Sequence, residues 1–239
     1  MNLHLVHLLP DPQVLSAWAT RHRLLSPDGD EGYAFHALLT ATFGTLAPKP
    51  FRYLGHRRGL LAYTDTPADQ LQELATLAAP DIAQALGLSH FAARPFPTAW
   101  RTGHQLGFEV RARPILRTTL GRERDAYLQA IEGNDVGDKP PSRETVYLSW
   151  LERQLTRDQA AELIQANLVS FRLSRVVRRG TQNEGGHRRL KTPSGPDVVF
   201  KGILRVTSGD AFTSLLARGV GRHRAFGFGM LLLTPASSC

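Results

Sequence analysis

Two successive stretches of this chain carry the same order of local signals, and that repetition limits the fold more than any single residue does. In the first stretch, residues 2–9 are a short apolar run closed by Pro10, which reads as a strand. Asp11-Pro12 then supplies an N-cap and a proline at the first helical position, opening a helix to about Arg21. A second helical run extends from Glu31 to Phe43, with Gly44 placed to close it. Phe51–Gly55 and Gly59–Thr64 flank His56-Arg57-Arg58 as a hairpin. Thr66-Pro67-Ala68-Asp69 starts a further helix, and a strand is expected near Ser89–Ala93.

The second stretch opens with Leu106–Thr118, where Phe108, Val110 and Ala112 alternate with Glu109, Arg111 and Arg113. Period two predicts a strand, here with a basic face. Glu123–Ile131, Ser142–Leu155 and Asp158–Ala166 read as helices, and Gly133–Pro141 as a loop. Asn167–Arg178 and Asp197–Thr207 read as strands, Gly209–Arg218 as a helix and Phe228–Thr234 as a last strand. Both stretches therefore give strand, helix, strand, strand, helix, strand. The prediction is an α+β chain of two tandem ferredoxin-like (RRM-like, βαββαβ) domains, residues 1–94 and 104–239, divided at Arg94-Pro95-Phe96-Pro97. Each half would place its helices on one face of a four-stranded antiparallel sheet. The open sheet faces and the cleft between the halves would remain for a ligand. Trp100, Tyr127, Tyr147, Trp150 and Phe171 fall at core spacings.

Charge separates the halves. The chain has 29 Lys+Arg and 21 Asp+Glu, a net of +8. Residues 1–100 hold 7 bases and 8 acids, so the whole excess lies beyond them. That asymmetry points to a polyanion, nucleic acid before membrane, because no basic amphipathic helix stands out. No apolar run approaches the roughly 20 residues of a membrane span. The N-terminus has neither the basic start nor the cleavage site of a signal peptide. The single cysteine, Cys239, excludes a disulfide framework and a cysteine-ligated zinc site. The expected setting is a reducing one, the cytoplasm, with no membrane partner.

Two segments concentrate the chemistry. Arg175 to Lys191 carries Arg178, Arg179, Arg188, Arg189 and Lys191 around a single acid, Glu184. Lying between two strands, it predicts a basic hairpin or arm that reaches RNA phosphates, and its composition equally suits a solvated loop that orders on binding. Further on, Gly219, Gly221, Gly227 and Gly229 bracket Arg222-His223-Arg224. Glycine admits positive φ and close approach to a phosphate. The spacing matches neither a dinucleotide fold nor a P-loop, since these glycines precede a strand. A plain turn between helix and edge strand is the alternative.

Gly219-Val220-Gly221 followed by Ala225-Phe226-Gly227-Phe228-Gly229 and an apolar strand resembles the C-terminal signature of the CasE-type CRISPR repeat-processing endoribonucleases. Phe108-Glu109-Val110-Arg111-Ala112-Arg113-Pro114 resembles the strand that opens that family's second half. Tyr33-Ala34-Phe35-His36 resembles its Tyr-x-x-His element. The family's loop often carries a lysine where this chain has Arg222, His223 and Arg224, so Arg224 best fills that place and His223 is a second candidate imidazole.

The resemblance implies metal-free cleavage of a CRISPR repeat hairpin RNA to mature guide RNA. The product ends in a 2′,3′-cyclic phosphate, no cofactor is used, and the protein stays in a complex with other Cascade-type subunits. It also implies site roles. His36 would be the acid/base and Tyr33 its helper, with Arg224 and Arg222 stabilising charge. Arg111, Arg113, Arg178, Arg179, Arg188, Arg189, Lys191, Gly219, Gly221, Arg222, His223, Gly227 and Gly229 would contact RNA. No histidine, aspartate or glutamate grouping has metal-ligand spacing; His4 and His7 fall on opposite sides of a strand. A non-catalytic RNA-binding scaffold subunit is the alternative. A DNA-binding regulator is a third, with no helix-turn-helix pattern to support it.

Overall fold

The computed structural model describes residues 2–118, 121–132, 140–176, 178–182, 188–191 and 194–236, without the side chains of 178–191. The first half runs β1 (His4–Leu8), α1 (Pro12–Arg21), α2 (Gly32–Phe43), β2 (Phe51–Tyr53), β3 (Leu60–Thr64), α3 (Ala68–Thr76), α4 (Pro80–Leu86) and β4 (Ala92–Pro95). The second runs β5 (Gln105–Ala112), β6 (Ile115–Arg117), β7 (Glu123–Asp125), α5 (Ala126–Glu132), α6 (Arg143–Leu155), β8 (Ala161–Arg175), β9 (Arg178–Gln182), β10 (Arg188–Lys191), β11 (Ser194–Val206), α7 (Gly209–Arg218) and β12 (Leu231–Pro235).

Two four-stranded sheets result, ordered β2-β3-β1-β4 and β12-β5-β11-β8, with every neighbouring pair antiparallel. Numbering the four main strands of each half in chain order gives 4-1-3-2 in both. This is the ferredoxin-like arrangement, present twice. Local chemistry sets the helix starts. Asp11 accepts from the Gln13 and Val14 amides ahead of Pro12, and Ser142 accepts from the Thr145 amide. Ser208 caps α7 through the Ala211 amide.

In the first half Val6, Leu8, Leu60 and Ala62 turn toward α1–α4 and share a core with Leu15, Phe35, Leu38, Leu71 and Leu86. The opposite face of that sheet is not open. Leu3, Leu5 and Tyr63 belong to the core of the second half, and the Tyr63 hydroxyl donates to the Leu231 carbonyl at 3.0 Å. A sheet with apolar side chains on both faces must cover both, so this face docks the halves together.

Four expectations change. Asp158–Ala166 is not a helix: Asp158 and Gln159 have φ of 59° and 56°, and β8 begins at Ala161. Its Ala, Glu, Leu and Gln favour helix locally, but pairing with β11 along Ala161–Arg175 overrides that preference. Glu123–Asp125 is a strand paired to Ile115–Arg117, and the helix starts only at Ala126. β4 runs on past Ala93 to take in Arg94 and end at Pro95, since an edge strand tolerates proline. Phe171 is 39% exposed on the edge strand β8, whereas Tyr147 and Trp150 are core.

Candidate functional site

Tyr33 and His36 occupy one face of the first turns of α2, three residues apart. Their rings lie 6.0 Å apart. Both meet Phe226 of the glycine-rich loop: Tyr33 stacks on it at 5.9 Å, and His36 meets it edge-on at 5.0 Å. Gly32 permits this contact. A Cβ there would lie 2.3 Å from the Phe226 carbonyl oxygen, so any side chain would push the loop off the helix. The two motifs, nearly two hundred residues apart in sequence, thus form one surface.

His36 is half-buried, and its Nδ1 lies 3.5 Å from the Thr40 hydroxyl, the outer limit of a hydrogen bond. Burial, and then the positive charge of Lys49, hold its pKa below the ordinary imidazole value of 6.5. The neutral imidazole therefore predominates at neutral pH. Lys49 is exposed, and it lines the cavity of about 560 Å³ that also contains His36, Thr40 and Ala225. It lines a second cavity as well, of about 640 Å³, bordered by Arg222, His223 and Arg224. Sequence spacing gave no reason to select Lys49; the only signal was that it is the sole lysine before residue 139.

The glycine loop is a built element rather than a plain turn. Gly219, Gly221, Gly227 and Gly229 all have positive φ, and so does His223. At Gly229 (φ 81°) a side chain would also sit 2.4 Å from the Val220 carbonyl, so only glycine fits. The loop is pinned at its base by Val220 N donating to Gly229 O at 2.8 Å and Gly229 N to Arg111 O at 2.7 Å. Gly221 lies against the Trp150 ring, Gly227 against Phe51 and Gly219 against Pro50.

The three central residues of the loop differ in exposure. His223 has a side chain only 4% exposed, and its Nε2 lies 3.0 Å from Glu123 Oε2. Its ring also meets Phe226, at 6.1 Å, the ring that His36 meets from the other motif. Arg222 donates to the other Glu123 oxygen at 2.9 Å and keeps 47% exposure. Arg224 donates to the Arg218 carbonyl and faces the larger cavity. It reaches the His36 side only through Ala225 and Lys49, which border both cavities.

The expected basic face at Arg111 and Arg113 is absent. Arg113 is 3% exposed and donates to the Ser174 carbonyl at 3.1 Å. Arg111 donates to both oxygens of Asp197, at 2.8 and 2.6 Å, and to Asp30 at 2.7 Å. Burial works against the Arg111 charge, but Asp197 and Asp30 outweigh it and raise its pKa. Arg172 closes the network on Asp197 at 2.8 Å. Alternation along β5 did place these guanidiniums on one face. That face, however, is covered by residues from β11 and from the loop before α2. Asp30 also accepts from the Gly32 amide at 2.9 Å, so the network fixes the start of the helix that bears Tyr33 and His36. Arg178, Arg179, Arg188, Arg189 and Lys191 lie in the paired strands β9 and β10, an antiparallel hairpin as expected; their side chains lie outside the described residues. Among the described residues, no group of three or more His, Cys, Asp or Glu side chains is placed to hold a metal ion, and no helix is long and apolar enough to cross a membrane.

A family model described as CRISPR associated protein matches residues 3–235. The chain belongs to that family. The CRISPR-associated endoribonuclease Cse3 of Thermus thermophilus is 28% identical to this chain over 155 residues, 61% of this chain and 63% of Cse3. The match thus spans just under two thirds of that relative. A structure of Thermus thermophilus Cse3 bound to an RNA representing a pre-cleavage complex superposes with a TM-score of 0.65 at 21% identity, over 98% of this chain and all of that one. Cas6e of Escherichia coli gives 0.51 at 18%, over 98% and 100%. These likenesses agree with the doubled ferredoxin-like fold and with the CasE-type resemblance of the three motifs.

Proposed function

We propose that this family member is a metal-independent endoribonuclease. It would cut CRISPR repeat hairpin RNA to guide RNA and remain with it as a subunit of a Cascade-type surveillance complex, in the cytoplasm. The observation that carries the reading is the convergence of His36 and Lys49 with the glycine loop where two cavities meet, with Tyr33 buried behind them against Phe226. A relative named as an endoribonuclease, and that relative's RNA-bound structure, support the substrate class.

The residues suit one reaction. The RNA's 2′-hydroxyl attacks the adjacent phosphorus; the 2′-O–P bond forms, the P–O5′ bond breaks, and a 2′,3′-cyclic phosphate and a 5′-hydroxyl result. The attacking hydroxyl must lose a proton, the leaving 5′-oxygen must gain one, and negative charge grows on the phosphorane between. His36, kept neutral by burial and by Lys49, accepts the first proton. The Tyr33 phenol, one helical turn away, orients the sugar or supplies the second. Lys49 is the cation nearest this chemistry, and Arg224 with Arg222 extends the positive field from the loop. Imidazole, phenol, ammonium and guanidinium together cover every role. His223, bound to Glu123, serves the loop's shape instead.

Cleavage of a repeat hairpin RNA in excess EDTA tests this. Cutting should persist and leave a cyclic phosphate. A substrate with 2′-deoxyribose on the 5′ side of the scissile phosphate should bind and remain intact. Cleavage of that substrate, or strict dependence on added magnesium, would refute the reaction type. Tight binding of the unmodified RNA without any cleavage would establish a scaffold instead.

A further inference from the structure

The cleft beside the glycine loop holds more positive charge than the chemistry at His36 uses. Six cations line it: Lys49, Arg117, Arg157, Arg218, Arg222 and Arg224. Among the described residues, two carboxylates pair with them. Glu123 takes Arg222 and His223, while Asp158 lies 3.6 Å from Arg218 and 3.9 Å from Arg157. Burial, and then the neighbouring charges of Arg157 and Arg224, lower the pKa of Arg218 against the pull of Asp158. Guanidiniums so crowded repel one another until an anion enters. Arg117 and Arg157 are exposed, at the end of β6 and just after α6.

Size and position identify the anion. About 640 Å³ is the scale of a pocket that takes one small ligand, which matches a nucleotide or two of single strand better than the width of a duplex stem. It meets the His36 cavity at Lys49 and Ala225. A strand whose scissile phosphate lies at His36 therefore leads into it.

We propose that this cleft binds the single-stranded RNA flanking the cut, through its phosphates, with Arg117, Arg157 and Arg218 as the contacts. The inference rests on the reading of His36 as the cleavage site. It adds a second RNA surface, separate from the basic hairpin of β9 and β10, and gives the protein a grip on sequence outside the repeat stem.

The test compares two RNAs, both with 2′-deoxyribose at the cut so that binding is read without cleavage. One is the bare hairpin ending at the cut; the other continues as single strand beyond it. The wild-type protein should bind the longer RNA about tenfold more tightly, with a steeper salt dependence. Each single-strand phosphate neutralised adds about 0.7 to the log–log slope. In Arg117→Ala/Arg157→Ala the advantage of the longer RNA should vanish and its slope fall by about one to two units. Equal wild-type affinity for the two RNAs would overturn the proposal, as would a double variant that weakens both alike. The two readings fail separately. A protein that shows the flank advantage but never cuts the 2′-hydroxyl RNA retains the cleft and loses the nuclease. One that cuts without any flank advantage does the reverse.

Discussion

Arginines that look alike in the sequence do opposite work on the two sides of the glycine loop. On one side, beneath the start of α2, Arg111 is locked between Asp30 and Asp197, and Arg113 is buried against the Ser174 carbonyl. On the other, six cations share Glu123 and Asp158 around an open cleft. In the first group Arg111 is answered by two carboxylates and ties the halves together; the second group keeps an excess of charge for something outside. Density of arginine thus marks polyanion binding only where carboxylates are too few to answer it. Because Arg111 O also accepts the Gly229 amide, the internal group sets the geometry in which the open group works.

The largest expected effect falls on the closed side. Arg111→Ala leaves Asp30 and Asp197 buried without their main cation, and breaking a buried pair in this way costs about 3–5 kcal/mol. Denaturant titration should show that loss even with no RNA present. The cleft pair Arg117 and Arg157 is exposed, so replacing both should change stability by only about 0.5 kcal/mol. Comparable losses in the two variants would dissolve the distinction between the two sides.

A smaller effect sharpens the link between them. His36 must be neutral to accept a proton, so the midpoint of the acid limb of the cleavage profile should lie below the ordinary imidazole value of 6.5. The same lowered pKa means that acid favours the unfolded chain, so this group's contribution to stability is complete above pH 6.5 and fades beneath it. Lys49→Ala removes a cation that disfavours the imidazolium, so the acid limb of the rate profile should move to higher pH, toward the ordinary imidazole value. A limb that stays put while the rate falls would place Lys49 on the phosphate alone.

Much of the fold was legible because its signals are local. Asp11-Pro12, Ser142 and Gly209–Arg218 announce helix boundaries in the residues that form them. The matching order of elements then yields two like sheets. The strand over Asn167–Arg175 was legible, but the first six residues of β8 read as helix because their helix-favouring composition is overruled by pairing with β11, which begins more than thirty residues after β8 does. Within the proposed site, Tyr33 and His36 were singled out by the resemblance of Tyr33-Ala34-Phe35-His36 to a family element, and the loop by its glycines. The fate of Arg111 was not, since Asp30 lies 81 positions away and no local pattern records that contact. Lys49, Arg117, Arg157 and Arg218 were missed for the same reason: each is unremarkable in its own segment, and only the tertiary fold gathers them around one cleft.

The central claim is that the chemistry lies on α2 and not on the imidazole inside the glycine loop. Single-turnover cleavage of a repeat hairpin by His36→Ala and His223→Ala, each with RNA affinity measured beside it, tests this most directly. His36→Ala should slow cleavage by roughly 10²–10⁴, the usual worth of a positioned acid or base, with affinity nearly intact. His223→Ala should keep the chemical step within about tenfold and lose stability instead, because the buried imidazole gives up its contact with Glu123. Full activity in His36→Ala together with loss in His223→Ala would contradict the assignment.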